Sequence, residues 1–193
     1  MGIDSIDQLL RREIEARIVG QLIDALVLEF GREPVYKVIK NTIIRIAGEQ
    51  GAQFADQAGS NSLRHFMSVL EIWKKGGALE MEILEQADNK LSFNVTRCRY
   101  AELYRELGFT PELGYMLSCN RDFALIKGFN KDITLRRTQT IMEGAPYCDF
   151  RFTAANAPAL CIQRFSVSAN CREQSQLLHF DNCARFQAFR RTI

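Results

Sequence analysis

The hydrophobic period of this chain changes at Gly77, and that change limits the folds open to it. Before Gly77, Ile6, Leu9, Leu10, Ile14, Val19, Leu22, Ile23, Leu26 and Phe30 recur at three-to-four spacing, the signature of a helix. Just after it, Leu79, Met81 and Ile83 alternate with Glu80 and Glu82, the period of two of a half-buried strand. A helical first portion followed by alternating segments predicts an α+β fold: N-terminal helices, then a largely antiparallel sheet of two β-hairpins with intervening helices.

Turn and cap residues divide the chain further. Gly31 stops the first helix; a second opens at Pro34 and runs through Val38, Ile39, Ile43 and Ile46; a third spans Leu63–Lys75 and ends at Gly76–Gly77. Residues 78–98 read as a hairpin turning at Ala87–Lys90. Tyr100, Ala101, Tyr104 and Leu107 restore a helical period that closes at Gly108. Thr110 and Pro111 cap and open a helix running toward Lys127, with Gly128 at its end. Strands are predicted over 133–142 and 147–153, joined by a turn at Glu143–Pro146. One domain is expected over residues 1–153, with helices over residues 1–76 and the sheet, carrying the site, over residues 77–153. Residues 154–193 read as an atypical extension of weak periodicity, either loosely ordered or the product of an altered reading frame.

Composition narrows the partners. A chain of 193 residues is long enough for one well-buried core. The net charge is +2 and the basic residues occur as scattered pairs such as Arg11–Arg12 and Arg136–Arg137, so nucleic-acid binding is not expected. No run approaches the roughly 18 apolar residues of a membrane span, and the N-terminus lacks a secretory pattern, which predicts a cytoplasmic protein. Its six cysteines then read as reduced thiols. They form no C-x-x-C pair, and the two histidines, His65 and His179, lie far apart. No metal site and no cofactor are predicted, scattered ligands for a divalent metal remaining open. The expected partner is a small-molecule substrate.

Candidate chemistry concentrates between Asn94 and Arg151. Alternation sets Asn94, Thr96 and Cys98 on one face of the 91–98 strand, and Cys148, Phe150 and Phe152 opposite Tyr147, Asp149 and Arg151 on the last strand. With Arg137, Thr138 and Thr140 between them, a thiol, guanidinium groups, hydroxyls and a carboxylate are expected to converge. Cys98 stands where a strand enters a helix, a position that favours a thiolate; Cys148 needs a cation from Arg137 or Arg151. Both also read as the small buried hydrophobes that free cysteines usually are. Asp122, inside SCNRDFAL, reads either as a partner of Arg121 or Lys127 or as a general base.

The segments NVTRCRYAELYRELG, CNRDFALIKGFN, RTQTIMEG and CDFRF, in this order between about Trp73 and Phe152, resemble the L-2-amino-thiazoline-4-carboxylic acid hydrolase family. RTQTIMEGAPYCDFRF carries most of that resemblance, and the tail after Ala154 departs from it. The resemblance implies hydrolytic opening of a cyclic amidine on the route to L-cysteine, by cleavage of either the C–N or the C–S bond. On that reading Cys148 is the nucleophile, and Asp122 or Asp149 moves protons. Arg137 or Arg97 then holds the substrate carboxylate, and Asn94 and Thr138 bond the ring nitrogens, with Cys98 beside them. A water-activating mechanism without a covalent intermediate is the variant. The competing class is a small-molecule-binding sensor domain of the vinyl-reductase type, whose plan of hairpin, helix and hairpin is similar.

Overall fold

The computed structural model describes residues 6–155. Helix α1 spans Gln8–Phe30 and begins where the Asp7 carboxylate accepts a hydrogen bond from the Leu10 amide at 2.8 Å. Gly31, at φ +81°, turns the chain into α2, Arg32–Ala58, which runs well past Ile46. Helix α3, Leu63–Lys74, starts at a Ser62 cap. His65 belongs to that cap: its exposed ring meets Ser62 Oγ through Nδ1 at 2.7 Å.

The sheet follows as expected, with one shortened strand. β1 (Leu79–Ala87) and β2 (Lys90–Cys98) form the first hairpin, and α4 (Arg99–Glu106) continues directly from it. β3 (Ile133–Arg136) and β4 (Cys148–Ala154) form the second, giving a four-stranded antiparallel sheet in the order β1-β2-β4-β3. The run predicted as a strand to residue 142 stops at Arg136, because the Thr138 and Gln139 amides bond the Asp149 carboxylate instead of a neighbouring strand. A short 3₁₀ turn, Ile141–Glu143, follows, its first amide free to face Cys148. β4 reaches Ala154, one residue into the predicted extension; the rest of that segment, 156–193, lies outside the described residues.

The helix predicted from Thr110 to Lys127 is interrupted. A short α5 (Pro111–Gly114) gives way to a π turn, Tyr115–Cys119, closed by the Asn120 amide donating to the Tyr115 carbonyl at 2.9 Å, and α6 (Arg121–Phe129) resumes after it. The added residue rotates everything beyond it by about 100° relative to an uninterrupted helix. Gly128, expected to end this helix, lies within α6 and serves packing. A Cβ there would collide with the Gly48 carbonyl of α2, and one at Gly51 with the Leu125 carbonyl of α6. The two helix backbones therefore touch, which brings Gln50 of α2 beside the start of α6.

Two apolar clusters form the core. One joins the inner face of the sheet, with Leu91, Phe93, Val95, Phe150 and Phe152, to Phe66 of α3 and Ile126 and Phe129 of α6. The other joins Ala16 and Ile23 of α1 to Tyr104, Leu113, Met116 and Met142. Phe93 stacks on Phe150 with ring centres 4.9 Å apart, and Phe66 meets Phe152 at 5.1 Å. Helix α1 departs from the expected core stripe: it buries Arg12, Ala16, Gly20 and Ile23, while Leu22 and Phe30 stay 57% and 64% exposed. Apolar residues surround much of this helix, so periodicity alone did not single out its buried stripe.

Candidate functional site

Residues of α1, α2, α3, the sheet, α4, the π turn and α6 line a cavity of about 120 Å³ that is partly open to the surface. Leu79, Val95, Trp73 and Phe150 provide apolar wall, and three thiols, Cys98, Cys119 and Cys148, face the space. Charge enters from three elements: Arg11 and Arg12 from α1, Arg121 and Asp122 from α6, and Arg137 from the segment after β3.

A bulge explains how Cys98 arrives there. Strict alternation set it on the face of Asn94 and Thr96, away from Val95. In the β1–β2 ladder, however, Met81 pairs with Val95 and Glu80 with Arg97, leaving Thr96 as an extra residue. The bulge shifts the phase by one, so Cys98 returns to the face of Phe93 and Val95. Cys148 needs no such device, since β4 buries Cys148, Phe150 and Phe152 in regular alternation.

Asp122 and Arg137 form the ionic centre. Arg137 donates through Nη1 to Asp122 Oδ2 and through Nη2 to the Cys119 carbonyl at 3.0 Å. Its guanidinium carbon also lies 5.0 Å from the ring centres of both Phe123 and Phe150. The Arg137 side chain is 2% exposed. A guanidinium buried to that degree loses several kcal/mol of hydration. One carboxylate, one carbonyl and ring contacts worth about 0.5–2 kcal/mol each replace it. Burial pushes the Asp122 carboxyl above its usual range, with the Arg137 charge and hydrogen bond pulling the other way. The reading of Asp122 as a partner of Arg121 or Lys127 gives way to this longer-range pair.

Burial also dominates the thiols. It raises Cys98 to about 12, although the amides of Ala101 and Tyr100 at the start of α4 act against it. Cys119 is raised well above the ordinary thiol range, by burial first and then by Asp122. Cys148 is raised by burial too, but the Ile141 amide donates to its sulfur at 3.2 Å and the Arg137 charge favours its thiolate.

The remaining predicted site residues lie outside the cavity lining. Asp149 projects from the other side of β4 and accepts from the Thr138 hydroxyl and amide, both at 2.8 Å, and from the Gln139 amide at 2.9 Å. Burial opposes its ionisation, yet these donors hold the carboxyl below its usual range. Asn94 accepts from Arg151 Nη2 at 2.8 Å on that same outer face. Arg97 is exposed and paired with Glu102 and Glu80. The sheet thus divides the expected constellation, keeping Cys148, Cys98, Asp122 and Arg137 together inside and leaving Asp149, Thr138, Asn94 and Arg97 outside. Among the described residues, no cluster of His, Cys, Asp and Glu is arranged to hold a metal. No described helix is long and apolar enough to cross a membrane.

Three lining residues, Arg121, Arg12 and Gln50, were not among the site residues expected from the sequence. Arg121 is 8% exposed and donates to Gln50 Oε1 at 2.7 Å; Arg12 is 6% exposed and paired with Glu15. Adjacency to Asp122 was the available clue for Arg121. Nothing local marked Arg12 or Gln50, which meet Arg121 only through helix packing.

Helices covering one face of an antiparallel sheet, with thiols and an ion pair sharing a cavity between them, define an α+β domain built around a charged pocket. Residues 11–152 match the L-2-amino-thiazoline-4-carboxylic acid hydrolase family, and the chain belongs to that family. No protein of curated function matches the sequence. Among solved structures, the phenol-responsive sensory domain of the transcription activator PoxR with phenol is similar at 16% identity, over 71% of this chain and 73% of that one, with a TM-score of 0.42.

Proposed function

We propose that this chain is a hydrolase that opens the ring of L-2-amino-thiazoline-4-carboxylate, with Cys148 as nucleophile and Asp122 as its proton acceptor. One observation carries the reading: within a chain of this family, Cys148 and the Asp122–Arg137 pair line the same small cavity. The target is the ring carbon between nitrogen and sulfur, an electrophile suited to a thiolate.

In the first step the Cys148 thiol gives its proton to Asp122 and its sulfur bonds the ring carbon. The carbon–nitrogen double bond yields its electron pair to the ring nitrogen. Collapse then expels either the ring sulfur, which takes the proton back from Asp122, or the ring nitrogen, which takes that proton and a second one from the exocyclic amino group as a new carbon–nitrogen double bond forms there. Water adds to the same carbon, giving one proton to Asp122 while the carbon–nitrogen double bond yields its pair to nitrogen. The hydroxyl proton passes to that nitrogen as the carbonyl forms, and the Cys148–carbon bond breaks as Asp122 reprotonates the thiol. The net change is addition of one water, giving N-carbamoyl-L-cysteine if C–S breaks and S-carbamoyl-L-cysteine if C–N breaks. Burial of Asp122 supports its role, since a carboxyl raised above its usual range is a stronger base. Arg137 supports the same step by offsetting negative charge on either Asp122 or the thiolate.

The test is turnover of racemic 2-amino-thiazoline-4-carboxylate by the purified protein, with products identified by mass spectrometry. A carbamoyl-cysteine product that Cys148→Ser abolishes is the expected result. Full turnover by folded Cys148→Ser leaves direct attack by water with Asp122 as base. Binding without turnover by the wild type supports the sensor class instead.

A further inference from the structure

The proposed substrate carries a carboxylate, and Arg137 is already committed to Asp122. Arg97, the other expected anchor, points away from the cavity into Glu80 and Glu102. A different guanidinium has the needed geometry. Arg121 is more than nine-tenths buried, lines the cavity, and is steadied by a neutral residue, Gln50. No carboxylate of the described residues lies within ion-pairing distance of it, although Arg12 brings a second buried guanidinium near enough to weaken its hold on its proton. Burial and Arg12 together lower Arg121 to about 10. Asp122 answers one arginine of the lining and Glu15 another, so the side of the cavity toward Arg121 keeps a positive excess. A buried guanidinium without an ion-pair partner, drawn on only at longer range by Glu15 and Asp122, is unfavourable in the empty protein and becomes favourable once an anion joins it.

We infer that Arg121, oriented by Gln50 and flanked by Arg12, is the subsite that receives the carboxylate of a small ring substrate. This assignment rests on the ring-hydrolase reading for the identity of the substrate, but not for its charge. It makes the pocket selective for small monocarboxylates over their neutral analogues.

The experiment compares binding of 2-amino-thiazoline-4-carboxylate, its carboxamide and 2-amino-2-thiazoline by calorimetry, for the wild type, Arg121→Met and Gln50→Leu, with turnover measured in parallel. The wild type is expected to prefer the carboxylate by 100-fold or so, and Arg121→Met to lose that preference. Gln50→Leu, which leaves the charge but frees its orientation, is expected to raise KM about tenfold with little change in kcat, a split that a merely structural role would not produce. Arg121→Met is also expected to melt higher than wild type without ligand, and to gain no melting temperature from the carboxylate. Retained carboxylate preference in Arg121→Met, or none in the wild type, overturns the assignment. Wild-type binding that depends on Arg121 without turnover sinks the hydrolase reading and keeps the subsite. Turnover with preference intact in Arg121→Met does the reverse.

Discussion

Arg137 reaches back fifteen residues to donate to Asp122, so the segment leaving β3 is locked against the first turn of α6. Removing one member leaves the other charge buried. Asp122→Ala should therefore cost about 3–5 kcal/mol in denaturant unfolding, whereas the double variant Asp122→Leu, Arg137→Met should recover most of that loss. Equal instability of the single and double variants would show that the pair is not the source.

The same carboxyl sets an acid limit on activity. Burial raises its pKa above the ordinary 3.8 despite Arg137. As a base it must be ionised, so kcat/KM should fall with falling pH at a midpoint above the usual aspartate range. The stability effect has the opposite sense: a raised folded pKa favours the protonated native state, so this contribution is full below the unfolded pKa and is lost as pH rises through the folded one. Melting temperatures of wild type and Asp122→Asn across pH 3–8 should diverge in that direction, with the wild type losing ground as pH rises.

Asp149 gives the reverse pattern. Burial works against its ionisation, but the Thr138 and Gln139 donors win and lower its pKa. Its contribution is present above the unfolded pKa and is lost as pH falls through the folded one. Asp149→Ala should cost about 1–3 kcal/mol by freeing the Thr138 and Gln139 amides. Hydrogen exchange at those two amides should accelerate in the variant; unchanged protection would contradict the anchoring role.

Deletion of Thr96 should remove the bulge that turns Cys98 inward. The expected result is a folded protein in which Cys98, resolved by peptide mass spectrometry, alkylates faster than in the wild type while Cys148 does not. An unaltered Cys98 rate would mean that the chain restores the phase elsewhere.

Gly51→Ala places a methyl group against the Leu125 carbonyl. Forcing α2 and α6 apart should cost about 3 kcal/mol and weaken the Gln50–Arg121 hydrogen bond with it. Gly59→Ala, where nothing lies within 4 Å of the added carbon, meets no such collision; its cost is confined to the left-handed backbone at φ +63°. Thermal melts of the two variants separate packing from backbone strain.

The order of helices and strands was legible in the sequence because each depends on neighbours a few residues away. Ser62 and Thr110 cap their helices as local rules require, and Cys148, Phe150 and Phe152 share a face by simple alternation. The interruptions were harder to read. A bulge at Thr96 and a π turn at Tyr115–Cys119 each add one residue, and either insertion reverses or rotates every later side chain. Strand propensity in ITLRRTQTIM likewise gave way at Arg137, where Asp149 captured the amides that the ladder needed.

By itself the sequence determined the α+β order, the two hairpins, the inward face of β4 and the family to which the chain belongs. Only the tertiary structure decided which charges lie inside. Asp122 meets Arg137, and Gln50 meets Arg121 across 71 residues, because glycine-lined helices touch and an inserted residue turns α6. Local periodicity carries no record of such pairs, since burial and ionic partnership are properties of packed surfaces brought together by folding.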